Sequence, residues 1–233
     1  MRPCPDAAMI FAAGFGTRMG ALTQARPKPM ITVSGRPLID YAVALADDAG
    51  IARKVVNLHY LGAQIRAHLA HRPDISFSDE AAGILDTGGG LRAARSLLGG
   101  DAAFTLNSDA VWTGPNPLPV LRARWQTGAA RVVMALAPVT AIKERTGPGD
   151  FTMDKTGRIV RRGGDMVYLG AQIMDLHALD GMPTGAFSLN RVWDVLIAQG
   201  SAEGVIHLGG WCDVGHPAGI AEAEQMVKAA TCA

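Results

Sequence analysis

The stretch "AAMIFAA", residues 7–13, is apolar without interruption. A strand with one wet face alternates polar and apolar residues, whereas an unbroken run fits a strand covered on both faces. Few folds meet that demand, because helices must lie above and below the sheet. The chain supplies them. "PLIDYAVALADDAG" (37–50) has helical spacing, with Pro37 at its first turn and Gly50 as its stop, and "KVVNLHY" (54–60) reads as a second strand. A helix over 62–70, a short strand over 75–80, a helix over 88–100 and a strand over 103–109 continue the alternation.

Beyond residue 110 the order is less regular. A helix over 117–126 and a strand over 131–139 precede a hairpin over 150–162, turning at Lys155-Thr156-Gly157. A strand over 166–175, a helix over 188–200 capped by Ser188, a strand over 204–210 and a helix over 217–230 complete the chain. The pattern predicts an α/β fold: a Rossmann-like three-layer sandwich with a mixed central sheet, forming one domain over residues 1–233. With 48% hydrophobic and 18% charged residues, a substantial core is available.

Lys and Arg number 22 against 21 acidic residues, so a net charge of +1 gives no bulk attraction to nucleic acid or membrane. Any anion site must be local. Cys4, Cys212 and Cys232 show no C-x-x-C spacing, which suits a reducing, cytoplasmic setting. The opening "MRPCPDAAMIFAAGFG" is read as a first strand and not a secretory leader, since Asp6 interrupts the approach to a short apolar run. No run of about 18 apolar residues predicts a membrane span.

The local anion site is sought in "FAAGFGTRMGALTQARPKPM", residues 11–30. A dinucleotide fingerprint starting at Gly14 needs glycine at 19, where the chain has Met19. A Walker-type loop fails as well, because Lys28 is followed by Pro29. What remains is a strand, then A-G-x-G-x-R, then Lys28 held stiffly between two prolines. Gly14 and Gly16 allow a left-handed turn and a close backbone approach to an oxyanion. Arg18 offers a bidentate fork and Lys28 a compact charge. Farther on, Asp109 ends an apolar strand in "LNSDAVW", where a side chain faces the ligand crevice of an open α/β sheet. Asp213 stands in "GGWCDVGHP". Two hard carboxylates with room for waters and phosphates suit Mg²⁺. His59, His68 and His71 have no persuasive metal-ligand spacing.

"AAGFGTRM", "RPKPM", "GRPLIDYAVALADDAGI", "ILDTGGGLRAA", "LNSDAVW" and "GGWCDVGHPAGIAEA" together resemble the sugar-1-phosphate nucleotidyltransferases, which make a nucleoside-diphosphate sugar and pyrophosphate. The resemblance spans nearly the whole chain and implies the nucleotide-diphospho-sugar transferase fold, with a nucleotide-binding half over roughly 1–110 and a sugar-binding half over 111–233. "DTGGGLRAA", "NSDAVW", "GPGDF", "GAFSLN" and "GWCDVG" are most similar to the subgroup that pairs UTP with N-acetylmuramate-1-phosphate in peptidoglycan recycling. The resemblance implies catalytic roles for Arg18, Lys28, Asp109 and Asp213, with Mg²⁺ on the two aspartates. It implies nucleotide contacts from Ala12, Ala13, Gly14, Gly16, Glu80 and Gly88, the glycines at 88–90 offering their backbone to a base edge. It implies sugar contacts from Asn107, Gly149, Asp150, Gly170 and Asn190. Trp211 is read either as a sugar-stacking face or as a buried indole.

Two departures stand out. Ser108 replaces the usual glycine before the first aspartate, where it would alter the approach of a sugar hydroxyl or a metal-bound water. "RRGGD" (161–165) lacks the Glu-Lys pair with which many relatives grip the sugar phosphate. Alternatives stay open: GTP with mannose-1-phosphate, CTP with a phosphorylated alcohol, or a silent nucleotide-sugar sensor, against which all four charged residues speak together. With the last helix so near residue 233, the C-terminal β-helix of bifunctional relatives is not expected. The expected partners are thus a nucleoside triphosphate and a sugar-1-phosphate, with no nucleic acid or membrane, and the oligomeric state is not legible.

Overall fold

The computed structural model describes residues 2–80, 82–142 and 147–231. Cys232 lies outside them. In chain order the first half runs β1 (Ala7–Phe11), β2 (Thr32–Val33), β3 (Arg36–Pro37), α1 (Leu38–Asp48), β4 (Arg53–Leu58), α2 (Gly62–Leu69), β5 (Ile75–Asp79), α3 (Asp86–Ala93), α4 (Arg95–Leu98) and β6 (Ala102–Asn107). There follow β7 (Ala110–Trp112), α5 (Pro117–Thr127), β8 (Val132–Pro138), β9 (Gly149–Met153), β10 (Ile159–Gly164) and β11 (Met166–Asp175). The chain closes through α6 (Leu189–Ala198), β12 (Ala202–Ile206), β13 (Trp211–Asp213) and α7 (Ala218–Thr231).

The central sheet is mixed. β6, β1, β4 and β5 lie side by side and parallel, as their apolar runs require. β11 joins β6 antiparallel and carries β8 on its other side, with β12 parallel to β8 at the rim. The β9–β10 hairpin meets the Met166 end of β11. Strands of both halves thus share one sheet.

Side-chain alternation along β1 shows the layers. Ala8 and Ile10 pack into a core built with Ile39 and Val43 of α1, Ile65 of α2 and Leu121 and Trp125 of α5. Ala7 and Met9 face the opposite way, against Leu91 of α3, Leu98 of α4 and Val192 and Leu196 of α6. A third, smaller core holds Met19, Ile31, Val33, Leu38, Val111, Val214 and Ala223, and fastens the opening loop to β7 and α7.

Three expectations shift. The helix expected over 88–100 begins at Asp86, breaks at Ala94 and stops at left-handed Gly99. Pro37 precedes α1 in an extended conformation and does not enter its first turn. The strand expected over 204–210 starts earlier, at Ala202, and ends within that span. β12 ends at Ile206, and after Gly209 and Gly210 the chain forms β13 against β7, a separate two-stranded ribbon.

Candidate active site

After β1 the backbone turns back on itself at Gly16, whose φ is +64°. A Cβ there would stand 2.8 Å from Lys28 Cβ and 3.0 Å from Thr23 Cγ2. Glycine is therefore needed twice, for the left-handed turn and for the close passage of the Lys28 segment. Gly14 is not left-handed, and a Cβ on it would meet nothing within 4 Å, so it faces open cavity. Residues 17–23 form tight 3₁₀ turns anchored by buried Met19, which is why position 19 carries a large apolar side chain. Pro27 is extended and Lys28-Pro29-Met30 make one 3₁₀ turn, which aims Lys28 inward.

Lys28 is buried, and its Nζ donates to Asp109 Oδ2 at 2.6 Å. Asp109 follows the end of β6 and directly precedes β7. The ribbon then does what linear distance hides. Asp213 of β13 pairs with Ala110 of β7, and Val214 N–H donates to the Asp109 carbonyl at 2.9 Å. Two aspartates about a hundred positions apart in sequence are so fixed as neighbours. Burial, and then the Asp109 charge, push the Asp213 carboxyl above its ordinary range, while Lys28, Arg18 and His216 pull it down. A Cβ on Gly215 would stand 2.9 Å from Asp213 Oδ2 and 3.3 Å from Arg18 Nη1, so glycine lets this carboxylate and guanidinium converge. Arg18 itself is exposed and makes no ion pair with a described residue.

Among the described residues no group of three or more His, Cys, Asp or Glu side chains could cage a metal. Asp109 and Asp213 together are nonetheless a hard-oxygen pair whose mutual repulsion Lys28 offsets only in part. That donor set fits a Mg²⁺ that completes its shell with water and phosphate oxygens. Ser108 lines the cavity beside this site, but its hydroxyl is engaged by the backbone. Its hydroxyl donates to the Phe11 carbonyl at 2.5 Å, tying the ends of β6 and β1 together.

A cavity of about 310 Å³ opens beside these charges. Ala12, Ala13, Gly14, Gly16, Arg18, Lys28, Glu80, Asn107 and Asp109 all line it, together with Asn57, Ile84, Asp86 and Thr87. Gly88 does not. Its N–H and that of Gly89 donate to the Phe187 carbonyl at 2.8 and 3.0 Å, and a Cβ on Gly88 would strike the Phe187 ring and stand 2.9 Å from that carbonyl oxygen. The glycine run lets α3 pack against the 185–187 segment, and it has no free amide at 88 for a base edge. Gly88→Ala should therefore act on stability, costing about 1–3 kcal/mol. A thermal melt should fall by about 2–4 °C for each kcal/mol, with the KM for nucleotide unchanged in the folded fraction.

A second cavity of about 230 Å³ shares Phe11, Asp86, Thr87 and Asn107 with the first and continues to Tyr168, Ser188, Asn190 and Trp193. Asn107 and Asn190 thus lie on its wall. Gly149, Asp150 and Gly170 lie behind it. A Cβ on Gly149 would meet the Met166 backbone at 2.5 Å, Asp150 Oδ2 accepts the Tyr168 N–H at 2.8 Å, and left-handed Gly170 makes room for the Asn107 side chain. Trp211 is a pin: its indole N–H donates to the Leu169 carbonyl at 2.8 Å. Asn57, Thr87, Tyr168 and Trp193 were not foreseen. For Asn57 a signal existed, since one amide in the apolar strand "KVVNLHY" must find partners when buried.

Comparison with known proteins follows the same lines. The model of the MobA-like NTP transferase domain family matches residues 8–218. The N-acetylmuramate alpha-1-phosphate uridylyltransferase of Caulobacter vibrioides is 34% identical over 99% of this chain and 100% of its own length. The protein of that name from Neisseria meningitidis is 33% identical over 95% of this chain and 98% of its own. Among solved structures, HddC from Yersinia pseudotuberculosis, complexed with GMP-PN, superposes with a TM-score of 0.76 at 20% identity, covering 94% of this chain and 98% of its own.

Proposed function

The chain belongs to the MobA-like NTP transferase domain family, and we propose that it joins UTP and N-acetylmuramate-1-phosphate into a UDP-sugar with release of pyrophosphate. It is a nucleotidyltransferase of the sugar-1-phosphate class. The observation that carries the proposal is the meeting of Lys28, Asp109, Asp213 and Arg18 beside two joined cavities. UTP and the muramate sugar are favoured because the two uridylyltransferase relatives match along essentially their whole length. The mannose-1-phosphate guanylyltransferases of Oryza sativa are matched over 61% of theirs. A cytoplasmic place in peptidoglycan recycling goes with that choice.

In the reaction an oxygen of the sugar phosphate attacks the α-phosphorus in line. The bond from that phosphorus to the oxygen bridging to the β-phosphate breaks, and pyrophosphate leaves with the electron pair. No covalent enzyme intermediate is needed, so the protein's part is positioning and charge neutralisation. An ammonium has three donors. Lys28 gives one to Asp109, which aims it, and keeps two for the α-phosphate and the incoming sugar phosphate, which otherwise repel each other. Arg18 takes the β- and γ-phosphates. Asp109 and Asp213 would hold Mg²⁺, which when bound supplies Lewis-acid neutralisation of charge at the phosphates. The sugar enters the second cavity, where Asn107 and Asn190 can exchange hydrogen bonds with hydroxyl or acetamido groups.

Pyrophosphate release, assayed with Mg²⁺, each of the common nucleoside triphosphates and a panel of sugar-1-phosphates, tests this. Turnover is expected with UTP and N-acetylmuramate-1-phosphate. Turnover with GTP and mannose-1-phosphate instead would keep the reaction and replace the substrates. UTP binding without release from any pair would make the chain a sensor.

A further inference from the structure

We infer that Asn57 and Glu80 are a buried positioning pair that sets the distance between the two walls of the nucleotide cavity. One wall is Ala12-Ala13-Gly14, the other the segment from Ile84 to Thr87. The inference rests on the nucleotidyltransferase reading of that cavity.

Both side chains are almost wholly buried, Asn57 at 3% and Glu80 at 2% exposure. Burial of this kind is costly unless each polar atom finds a partner. Every one of them does. Ala12 N–H meets Asn57 Oδ1 at 2.7 Å, Asn57 Nδ2 meets Glu80 Oε1 at 2.7 Å, and Leu85 N–H meets Glu80 Oε2 at 2.8 Å. The direction of each bond is forced from its ends. A backbone N–H only donates, so Asn57 must turn its oxygen to Ala12, which leaves its amino group for Glu80. The relay therefore runs from one wall of the cavity to the other. Where β1 leaves β4, the Asn57 side chain takes over from the backbone ladder and holds Ala12 in place.

Gly90 belongs to the same device. A Cβ there would stand 2.6 Å from Glu80 Oε1 and 3.1 Å from Asn57 Nδ2, so the third glycine of the run makes room for the pair. Glu80 is thereby read differently from a base-contacting acid. Each of its oxygens already holds a protein donor, and its work is done through Leu85.

Asn57→Asp tests this on the full-length protein. It keeps an acceptor for Ala12 but sets two carboxylates face to face. Adding Glu80→Gln reverses the polarity of the central bond: the new amide donates to the new carboxylate, and its oxygen still accepts from Leu85. UTP binding with Mg²⁺ is measured by calorimetry, and KM and kcat by pyrophosphate release. Asn57→Asp should raise the Kd and KM for UTP roughly 10–100-fold, with kcat within about threefold of the wild type. The double variant should return to within about threefold of the wild-type KM, a rescue that a general loss of stability would not give. Should Asn57→Asp fail to fold, Glu80→Gln alone, which spoils one of the two Glu80 contacts, should show a smaller rise that the double variant reverses. A folded double variant no better than Asn57→Asp, or an Asn57→Asp protein with a lowered melting temperature and wild-type KM, would overturn the inference. Wild-type protein that binds no nucleoside triphosphate would instead overturn the reading on which it rests.

Discussion

Lys28→Ala should lower turnover by about three powers of ten while raising the KM for each substrate by less than tenfold. The split follows from where the ammonium stands. It touches Asp109 at 2.6 Å beside the cavity, and in the proposed reaction its remaining donors would meet the two phosphates that must approach each other. Repulsion between them is greatest as the new bond forms, and a cation there favours the transition state over the bound substrates. A stability effect accompanies the substitution, because Asp109 and Asp213 lose the cation between them, and a partly buried pair cut on one side costs more than a surface pair. Assays therefore belong well below the melting temperature of the variant. Turnover within tenfold of wild type in a folded Lys28→Ala protein would reduce Lys28 to a structural counter-ion of Asp109.

The sequence showed Lys28 because its signal is local. Two prolines flank it, a glycine-rich loop precedes it, and the apolar run "AAMIFAA" fixes the strand from which the loop leaves. The same holds for the parallel core, since a strand buried on both faces writes its burial directly into composition. Asp109 was legible as a strand-end acid. What escaped depends on partners far away in the chain. Gly88 and Gly89 look like backbone offered to a base edge, yet they are glycines because Phe187 and Gly185 lie against them. The β7–β13 ribbon has only three residues in each strand and no periodicity to read, although it brings Asp213 to Asp109. Gly149, Asp150 and Gly170, expected to touch the sugar, lie off the surface of the second cavity: Asp150 and Gly170 back its wall through Tyr168 and Asn107, and Gly149 packs on Met166. Ser108 shows the opposite case: a departure from the usual residue that lines the first cavity, with its hydroxyl absorbed by the Phe11 carbonyl.

Asp213→Asn should make the protein more stable and nearly inactive at once. The sign comes from the direction in which the folded protein moves this carboxyl. Burial and the neighbouring Asp109 push it up from its ordinary range, and the pull of Lys28, Arg18 and His216 does not cancel them. The charged form is therefore held less favourably in the fold than in water, and an amide of the same shape relieves that cost. The melt without divalent ions should therefore move upward, by about 2–4 °C for each kcal/mol gained. Strain of this kind is retained where function uses it. If the two aspartates exist to receive Mg²⁺, added Mg²⁺ should raise the melting temperature of the wild type, because a ligand that binds only the folded state stabilises it. It should leave that of Asp213→Asn almost where it was, while turnover falls by two to three powers of ten, on the order of what one lost charge clamp costs. A variant that melts lower than the wild type without metal would show Asp213 to be a net stabilising partner of Lys28 and Arg18. Equal Mg²⁺ shifts in both proteins would move the ion to other ligands and leave Asp213 to position Asp109 through the ribbon.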